Sequence, residues 1–387
     1  MPQSNNLRIA IIYHSFPHYR KGVLDALTDV YSHNVTFFGS TEERSGIRCH
    51  KFKVDANFRV VATWHIGPIV IQPAIPIIAA IENFDVFIFL ANPNHLTTWI
   101  AAILARIRRK RVIFWGHGFR SDTPTLKNRI RSVFFTLANA FYTYGFRAKE
   151  NAIALGFEPD SIHVGFNSLN YKAQILERER LQSLHIDPSQ ENGRDILRIL
   201  CISRLTKACR YDILLNAISD ASGISQHKYA LTFIGDGPDR KYLETRCKDL
   251  NLNHVFVGAQ YDEKSIANYM YAADVVVSPG KVGLTAMHSL MYGIPVISNN
   301  SSTDQMPEIE AIIPGHTGQL FEAGNTKQLA EILANFFNHF PSKSHTQESC
   351  FKMIDEIYNP TRQVQVLSRA INGLPALKGD DAFTLFK

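Results

Sequence analysis

Residues 274–299 read DVVVSPGKVGLTAMHSLMYGIPVISN. A short apolar run, DVVV, ends on the turn formers Ser278, Pro279 and Gly280; a helical pattern, LTAMHSLMY, follows, and after GIP a second apolar run, PVISN, begins. Strand, turn, helix and strand in so short a span form a βαβ unit with parallel, buried strands. In such sheets the loops after the strands carry the ligand, so the turn before the helix is where a site belongs.

The pattern extends both ways. Upstream, ILRILCISR, DILLNAIS, YALTFIGDG, DRKYLETRCKDL, HVFVGA and EKSIANYMYA alternate as strand and helix from residue 196. A polar stretch, DPSQENGRD (187–195), precedes them and reads as loop. Before it, LRIAIIYHS, KGVLDALTDV, NVTFFGS, FDVFIFLAN, LTTWIAAILARIR and RVIFWGHGF alternate likewise, and IRSVFFTLANAFYTYG (130–145) reads as a helix. At 387 residues the chain is long for one core. The fold class expected is therefore α/β, with two doubly wound domains over 1–175 and 176–358. A final segment, 359–387, opens on the amphipathic NPTRQVQVLSRAI and is free to return to the first domain.

With 45% hydrophobic and 20% charged residues, the composition is that of soluble globular proteins. The five cysteines, Cys49, Cys201, Cys209, Cys247 and Cys350, are scattered and form no CxxC pair. That argues against a disulfide framework or structural zinc and points to a reducing cytosol. The N-terminus lacks the cationic lead and long apolar run of a signal peptide. The longest apolar tract, 66–81, is broken by Pro68, Pro73 and Pro76, so no membrane-spanning helix is expected.

Residues 1–175 carry 20 Lys and Arg against 11 Asp and Glu, whereas the remainder carries 21 against 24. The excess lies in ARIRRKR (105–111) and in Arg120, Lys127, Arg129 and Arg131. Such a patch suits anionic lipid, a polyanionic acceptor or nucleic acid, and equally a plain solvated helix face. No aromatic-interleaved motif accompanies it, so nucleic acid is not the expected partner.

Several strand ends carry chemistry. GDGP (Gly235, Asp236, Gly237, Pro238) runs from a strand into a helix, where small residues let a nucleotide approach and free amides favour phosphate; Asp-Gly-Pro is also an ordinary turn. Arg204, Lys207 and Arg210 follow the strand ILCIS and would neutralise a diphosphate leaving group in the same crevice, or else serve as surface charge. The amides of Val282, Gly283, Leu284 and Thr285 form a second anion seat, and His288, one turn on, faces either ligand or core. In the first half His117, between Gly116 and Gly118, sits where small neighbours let a substrate come close. His14, His18, Tyr19 and Arg20 in HSFPHYR offer aromatic and cationic handles for a sugar or phosphate, although Tyr19 and Arg20 could simply begin a helix. No Asp-x-Asp pair, GxxxxGK[ST] loop, GxSxG elbow or HExxH motif occurs, which points to metal-free, cation-assisted chemistry.

The order SRLTK…R, LTFIGDGP, FVGAQ…YMYAADVVVSPG, GLTAMHSLMYGIPVIS resembles the C-terminal half of a group 1 (GT4-type) glycosyltransferase of GT-B fold, over about 110 residues. HSFPHYR, WGHG and FNSLN (166–170) resemble the family's first half more loosely. The resemblance implies two Rossmann-like domains facing each other across a cleft, with the nucleotide-sugar donor held by the second and the acceptor by the first. It implies retaining transfer to a glycan or lipid-linked acceptor in bacterial surface polysaccharide synthesis. No cofactor beyond the donor is implied, and the location implied is cytoplasmic, peripheral on the inner membrane face.

Arg204 matches the family's diphosphate-clamping Arg, and His117 its histidine near the donor sugar. The clamping Lys falls at Cys209, so Lys207 or Arg210 stands in for it. The family's two Glu fall at Gly280 and His288, which marks a variant subgroup without that pair. His288 is left for the ribose, the backbone of Lys281 to Leu284 for the sugar, and Glu308 or Glu310 for the missing carboxylate, with Gly258 among the donor contacts. Departure of the β-phosphate is then the step to stabilise, and that phosphate takes the acceptor proton. A GT-B epimerase or hydrolase, which would want carboxylates such as Glu308 and Glu310, and a non-catalytic nucleotide-sugar-binding subunit are the competing readings.

Overall fold

The computed structural model describes residues 6–43, 48–52, 57–123, 125–184 and 195–378. They fall into two compact units: the chain up to Asn170 together with the segment from Asn359, and Tyr171–Tyr358. The stretch read as loop at 187–195 lies, but for Asp195, outside the described residues.

The first unit runs β1 (Ile9–Ser15), α1 (Lys21–Tyr31), β2 (Val35–Ser40), β3 (Phe58–Val60), β4 (Trp64–Ile66), β5 (Ile69–Ile71), α2 (Ala74–Ile81), β6 (Val86–Leu90), α3 (Leu96–Ile107), β7 (Arg111–Trp115), α4 (Leu126–Phe135), β8 (Ala140–Thr143), α5 (Phe146–Ala154) and β9 (Ile162–Val164). Among the described residues seven strands make a parallel sheet in the order β3-β2-β1-β6-β7-β8-β9, while β4 and β5 form a separate antiparallel hairpin. Ile9, Ile11, Ile88 and Ile113 are fully buried on one face of the sheet, and Ala10, Phe87, Phe89 and Phe114 on the other. Helices on both faces explain why these strands read as unbroken apolar runs.

The stretch read as one helix at 130–145 is two elements. Asn139 donates its N–H to Val112 O at 2.7 Å and accepts the Val112 N–H on Oδ1 at 2.9 Å, which draws AFYT into the sheet as β8. Sheet pairing overrides the helical periodicity there. The apolar tract at 66–81 divides into β5 and α2, with Pro73 capping α2 and Pro76 in its first turn, where a missing N–H costs no hydrogen bond.

The second unit runs α6 (Tyr171–Ser183), β10 (Ile196–Ile202), α7 (Tyr211–Ile224), β11 (Lys228–Ile234), α8 (Arg240–Asp249), β12 (Asn253–Gly258), α9 (Glu263–Tyr271), β13 (Val275–Ser278), α10 (Thr285–Met291), β14 (Val296–Asn299), β15 (Gly318–Phe321), α11 (Thr326–Ala334), α12 (Phe336–His339) and α13 (Lys343–Glu356). Its strands pair in parallel in the order β12-β11-β10-β13-β14-β15. The order reverses between β10 and β13, so the loops after these two strands flank the topological switch point where open α/β sheets bind ligands. The chain changes unit at Asn170 to Tyr171, ahead of the 175/176 boundary read from sequence, because α6 packs on α9.

The closing helix, α14 (Pro360–Ile371), returns to the first unit. Gln363 donates to Phe166 O at 2.9 Å, Tyr31 reaches Ser368 at 2.8 Å, and the Arg111 Nε–H donates to Ala370 O at 2.6 Å. Val364, Leu367 and Ile371 complete the apolar layer beneath β1. No helix among the described residues is long and apolar enough to cross a membrane.

Candidate functional site

In the second unit three strand-end loops lock together through their backbones. After β10, Ser203 N–H donates to Ile234 O at 3.1 Å, Leu205 N–H to Asp236 O at 3.0 Å, and Asp239 N–H returns to Leu205 O at 3.2 Å. From the other side Gly280 N–H donates to Cys209 O at 3.0 Å. The glycines are required by this seam. A Cβ at Gly235 would lie 1.9 Å from Ser203 O, one at Gly237 2.2 Å from Leu205 O, and one at Gly280 2.1 Å from Ala208 O. The reason read from sequence, room for a nucleotide, is therefore corrected for GDGP: its glycines make room for the neighbouring loop. The Gly258 carbonyl ties β12 to the same seam by accepting Gly235 N–H at 2.9 Å.

Cys209, where the resemblance implies a lysine, is turned into the loop. Its thiol donates to Arg204 O at 3.1 Å and lies 3.3 Å from the Ser203 hydroxyl, which reaches Tyr211 at 2.8 Å. Arg204 and Lys207 are exposed and form no ion pair with a described residue. Arg210, left-handed at φ 53°, pairs with Asp212 at 3.3 Å. Lys207 and Arg210 line a hollow of about 590 Å³ with Asp239 and Tyr242 at the start of α8. Arg204, Gly237, Pro238 and Gly283 are not on its wall.

The turn between β13 and α10 is held by two side chains that sequence reasoning missed. Gln305 accepts Val282 N–H at 3.0 Å and donates to Gly280 O and Asn299 O at 2.9 Å each, while Asn299 donates to Pro279 O at 2.7 Å. The Val282 amide is thus occupied, which removes it from the anion seat. The amides of Gly283, Leu284 and Thr285 donate to no described group, and a Cβ at Gly283 would meet only Met306 Cγ, at 3.9 Å. The Thr285 hydroxyl donates to Ile202 O at 3.2 Å, fixing α10 against the end of β10.

His288 does not stand alone. Its Nε2 lies 2.9 Å from Glu263 Oε1, which also accepts from the Tyr292 hydroxyl at 2.6 Å and from Gln174 at 3.3 Å. Burial pushes the Glu263 carboxyl up, but the hydrogen bonds and charge of His288, with Tyr292 and Gln174, outweigh it and hold its pKa below the usual carboxylate range. Glu308 is 2% exposed in the turn Pro307–Ala311, which packs on α10.

The first unit gathers a second group. His14, Tyr19, Arg20 and His117 line a hollow of about 340 Å³ at the ends of β1, β6 and β7, together with Asn92, Arg120, Arg131 and Tyr144. His18 is absent from its wall and packs against the Arg48 carbonyl at 3.3 Å. Gly116 makes room for Ala91, whose Cβ would lie 2.9 Å from an added one, and Gly118, at φ 62°, makes room for Thr143 and Ala148. These glycines too serve the chain itself. The His117 ring stands edge-on to Tyr144 with centroids 4.9 Å apart. Burial first, then the charges of Arg120, Arg20 and Arg131, lower its pKa to about 4, so it is neutral at pH 7. Arg131, Tyr144, Gln305 and Glu263 carried no motif. Of these, Arg131 was singled out only as part of the basic patch.

Two Rossmann-like units whose strand-end loops present cations and unclaimed amides make up an architecture of GT-B type. Residues 186–349, within the second unit, match the family of glycosyl transferases group 1. A Klebsiella pneumoniae protein described as an uncharacterized 41.2 kDa protein in the cps region is 26% identical over 257 residues. That match spans 63% of this chain and 65% of the relative. The apo lipopolysaccharide outer core galactosyltransferase WaaB superposes with a TM-score of 0.68 at 14% identity, covering 94% of this chain and 99% of its own. Anabaena HepE in complex with UDP superposes with a TM-score of 0.67 at 15% identity, covering 95% and 100%. At these identities the likeness is one of fold.

Proposed function

We propose that the protein is a glycosyltransferase. It moves a sugar from a nucleoside diphosphate sugar to a glycan or lipid-linked acceptor in surface polysaccharide synthesis, with retention and without a metal. The observation that carries this reading is the three-loop seam in the family-matched unit: it sets the exposed Arg204 and Lys207 on one loop against a turn whose Gly283, Leu284 and Thr285 amides are unclaimed. The structurally similar Anabaena HepE was solved in complex with UDP, which supports a nucleotide ligand. As the glycosidic bond breaks, negative charge grows on the β-phosphate. Preorganised cations and amides stabilise that charge more in the transition state than in the ground state. The departing phosphate oxygen takes the acceptor proton, and His117, neutral at pH 7, offers a hydrogen bond rather than a charge to the sugar.

The protein acts on the cytoplasmic side of the inner membrane, bound peripherally. Leu96, Ile100, Ile103 and Ile107 on α3, and Leu126, Ile130 and Val133 on α4, are exposed at helical spacing beside Arg106, Arg109, Lys127 and Arg129, a composition suited to anionic lipid. Co-sedimentation with anionic but not neutral vesicles, weakened by salt, is the expected result. The donor reading is tested by a thermal-shift panel of nucleotides and nucleotide sugars, in which the true donor raises Tm by mass action. A panel with no stabilising member, or stabilisation unaffected by Arg204→Ala, overturns it.

A further inference from the structure

The first-unit hollow has an unusual charge. Arg20, Arg120 and Arg131 share its wall with His117, and no carboxylate lines it. Arg20 is the most constrained of the three. It is 9% exposed, donates to the Tyr13 hydroxyl at 3.2 Å and to the Tyr144 hydroxyl, and lies over the rings of Tyr13, Trp115 and Tyr144 at 4.9, 5.0 and 5.5 Å. Ring faces and hydroxyls stabilise a guanidinium without neutralising it. Arg131 donates to Gly118 O at 3.4 Å, and burial followed by the proximity of Arg120 pushes its pKa down. Burial, and after it the charges of these three arginines, lower the pKa of the His117 beside them. Buried charge is costly unless something of opposite sign completes it, and among the described residues nothing in this hollow does.

We propose that the hollow is a seat for an oxyanion carried on the acceptor, a phosphate or a carboxylate, clamped by Arg20, Arg120 and Arg131. This deepens the glycosyltransferase reading and rests on it for the word acceptor: the substrate class is an anionic glycan or a phosphorylated carrier, not a neutral sugar. Guanidiniums suit either anion because their paired N–H groups match two oxygens at once. A volume of about 340 Å³ admits one sugar ring with its charged group.

The test uses the whole protein with UDP present in excess, so that phosphate cannot report on the donor seat. Inorganic phosphate, glucuronate and glucose are titrated separately while the His117 imidazole is followed by NMR, its signal identified by loss in His117→Gln. Phosphate or glucuronate is expected to raise the His117 pKa by about one unit or more, and glucose to leave it unchanged. Whichever anion acts tells a phosphorylated acceptor from an acidic sugar. Arg120→Gln, at an exposed position, and Arg131→Gln are each expected to weaken anion binding about tenfold. Both should melt as the parent does and bind UDP as it does. The proposal is overturned if neither anion moves the His117 signal, if glucose moves it equally, or if both variants bind anion like the parent. Failure of UDP to bind, with the anion effects intact, sinks the donor reading and leaves this seat standing.

Discussion

Replacing Gly280 by alanine tests whether the seam between the β10 loop and the β13 turn is what shapes the donor side. The added Cβ would lie 2.1 Å from Ala208 O and 3.0 Å from Cys209 Cα, so the backbone must part by roughly 1 Å to restore van der Waals contact. Overpacking of this kind costs about 1–3 kcal/mol. The Gly280 N–H to Cys209 O bond, at 3.0 Å, is lost with it, adding about 1 kcal/mol. Against this, Gly280 is not in the left-handed region, so alanine gains about 0.4–1 kcal/mol by restricting the unfolded chain. The net loss is about 2 kcal/mol, a fall of about 4–8 °C in the melting of a unit this size. Gly223 is the control: it lies near the end of α7 with nothing within 4 Å of its would-be Cβ, so Gly223→Ala should raise stability by about 0.5–1 kcal/mol. Calorimetric melting and UDP titration read both effects. If Gly280→Ala melts and binds UDP like the parent, the seam does not position the turn and the steric argument is wrong.

Three further outcomes follow from the geometry. Gln305→Leu strips partners from Val282 N–H, Gly280 O and Asn299 O; a loss of about 2–4 kcal/mol in urea unfolding is expected, together with weaker UDP binding, and normal binding in a folded variant would show that Gln305 does not set the turn. His163 is 1% exposed with neither ring nitrogen hydrogen-bonded to a described residue, and burial, then Arg111, Lys149 and Arg369, lowers its pKa from 6.5 to about 4. The folded state binds fewer protons than the unfolded one across that range, so its contribution is complete above pH 6.5 and falls by roughly 3 kcal/mol as pH drops to 4; His163→Leu should flatten this slope in stepped-pH denaturation and leave stability at pH 7 no lower. Asp355 accepts Arg178 through both oxygens at 2.9 and 3.1 Å, and the Tyr171 hydroxyl at 2.9 Å. Asp355→Ala leaves the mostly buried Arg178 uncompensated, for an expected loss of about 3 kcal/mol by urea unfolding.

The parallel sheets were legible because their strands are buried on both faces and end on turn formers. ILCIS, LTFI and VVVS need no context to be read as strands, whereas the switch point is set by their pairing across the sheet. The reading failed where a long-range partner decides the element. Nothing local in LANAFYTYG announces that Asn139 bonds Val112 and pulls the segment into a sheet. Glycines were found correctly as places of close approach, yet the approaching group is the protein itself at Gly116, Gly235, Gly237 and Gly280. Sequence spacing records that room is needed, not what fills it. The first-unit hollow was legible through His14, Tyr19, Arg20 and His117, but not through Arg131 and Tyr144, which β-sheet order rather than sequence proximity brings to the same place.

Positions 280 and 288, where the resemblance implies acids, differ in their physical surroundings. At position 280 the turn presses on Ala208 and Cys209 so closely that no side chain fits. The Cys209 thiol is turned into the same loop, against Arg204 O and the Ser203 hydroxyl. At position 288 the side chain meets a carboxylate instead: His288 on α10 meets Glu263 on α9, and Tyr292 and Gln174 bond the same Oε1. Because those three donors converge on Oε1, the carboxylate is held in one orientation and its pKa is kept low, so it stays ionised well into mild acid. A carboxylate thus lies one hydrogen bond from α10, supplied from the neighbouring helix, and a search for acids along α10 alone passes over it.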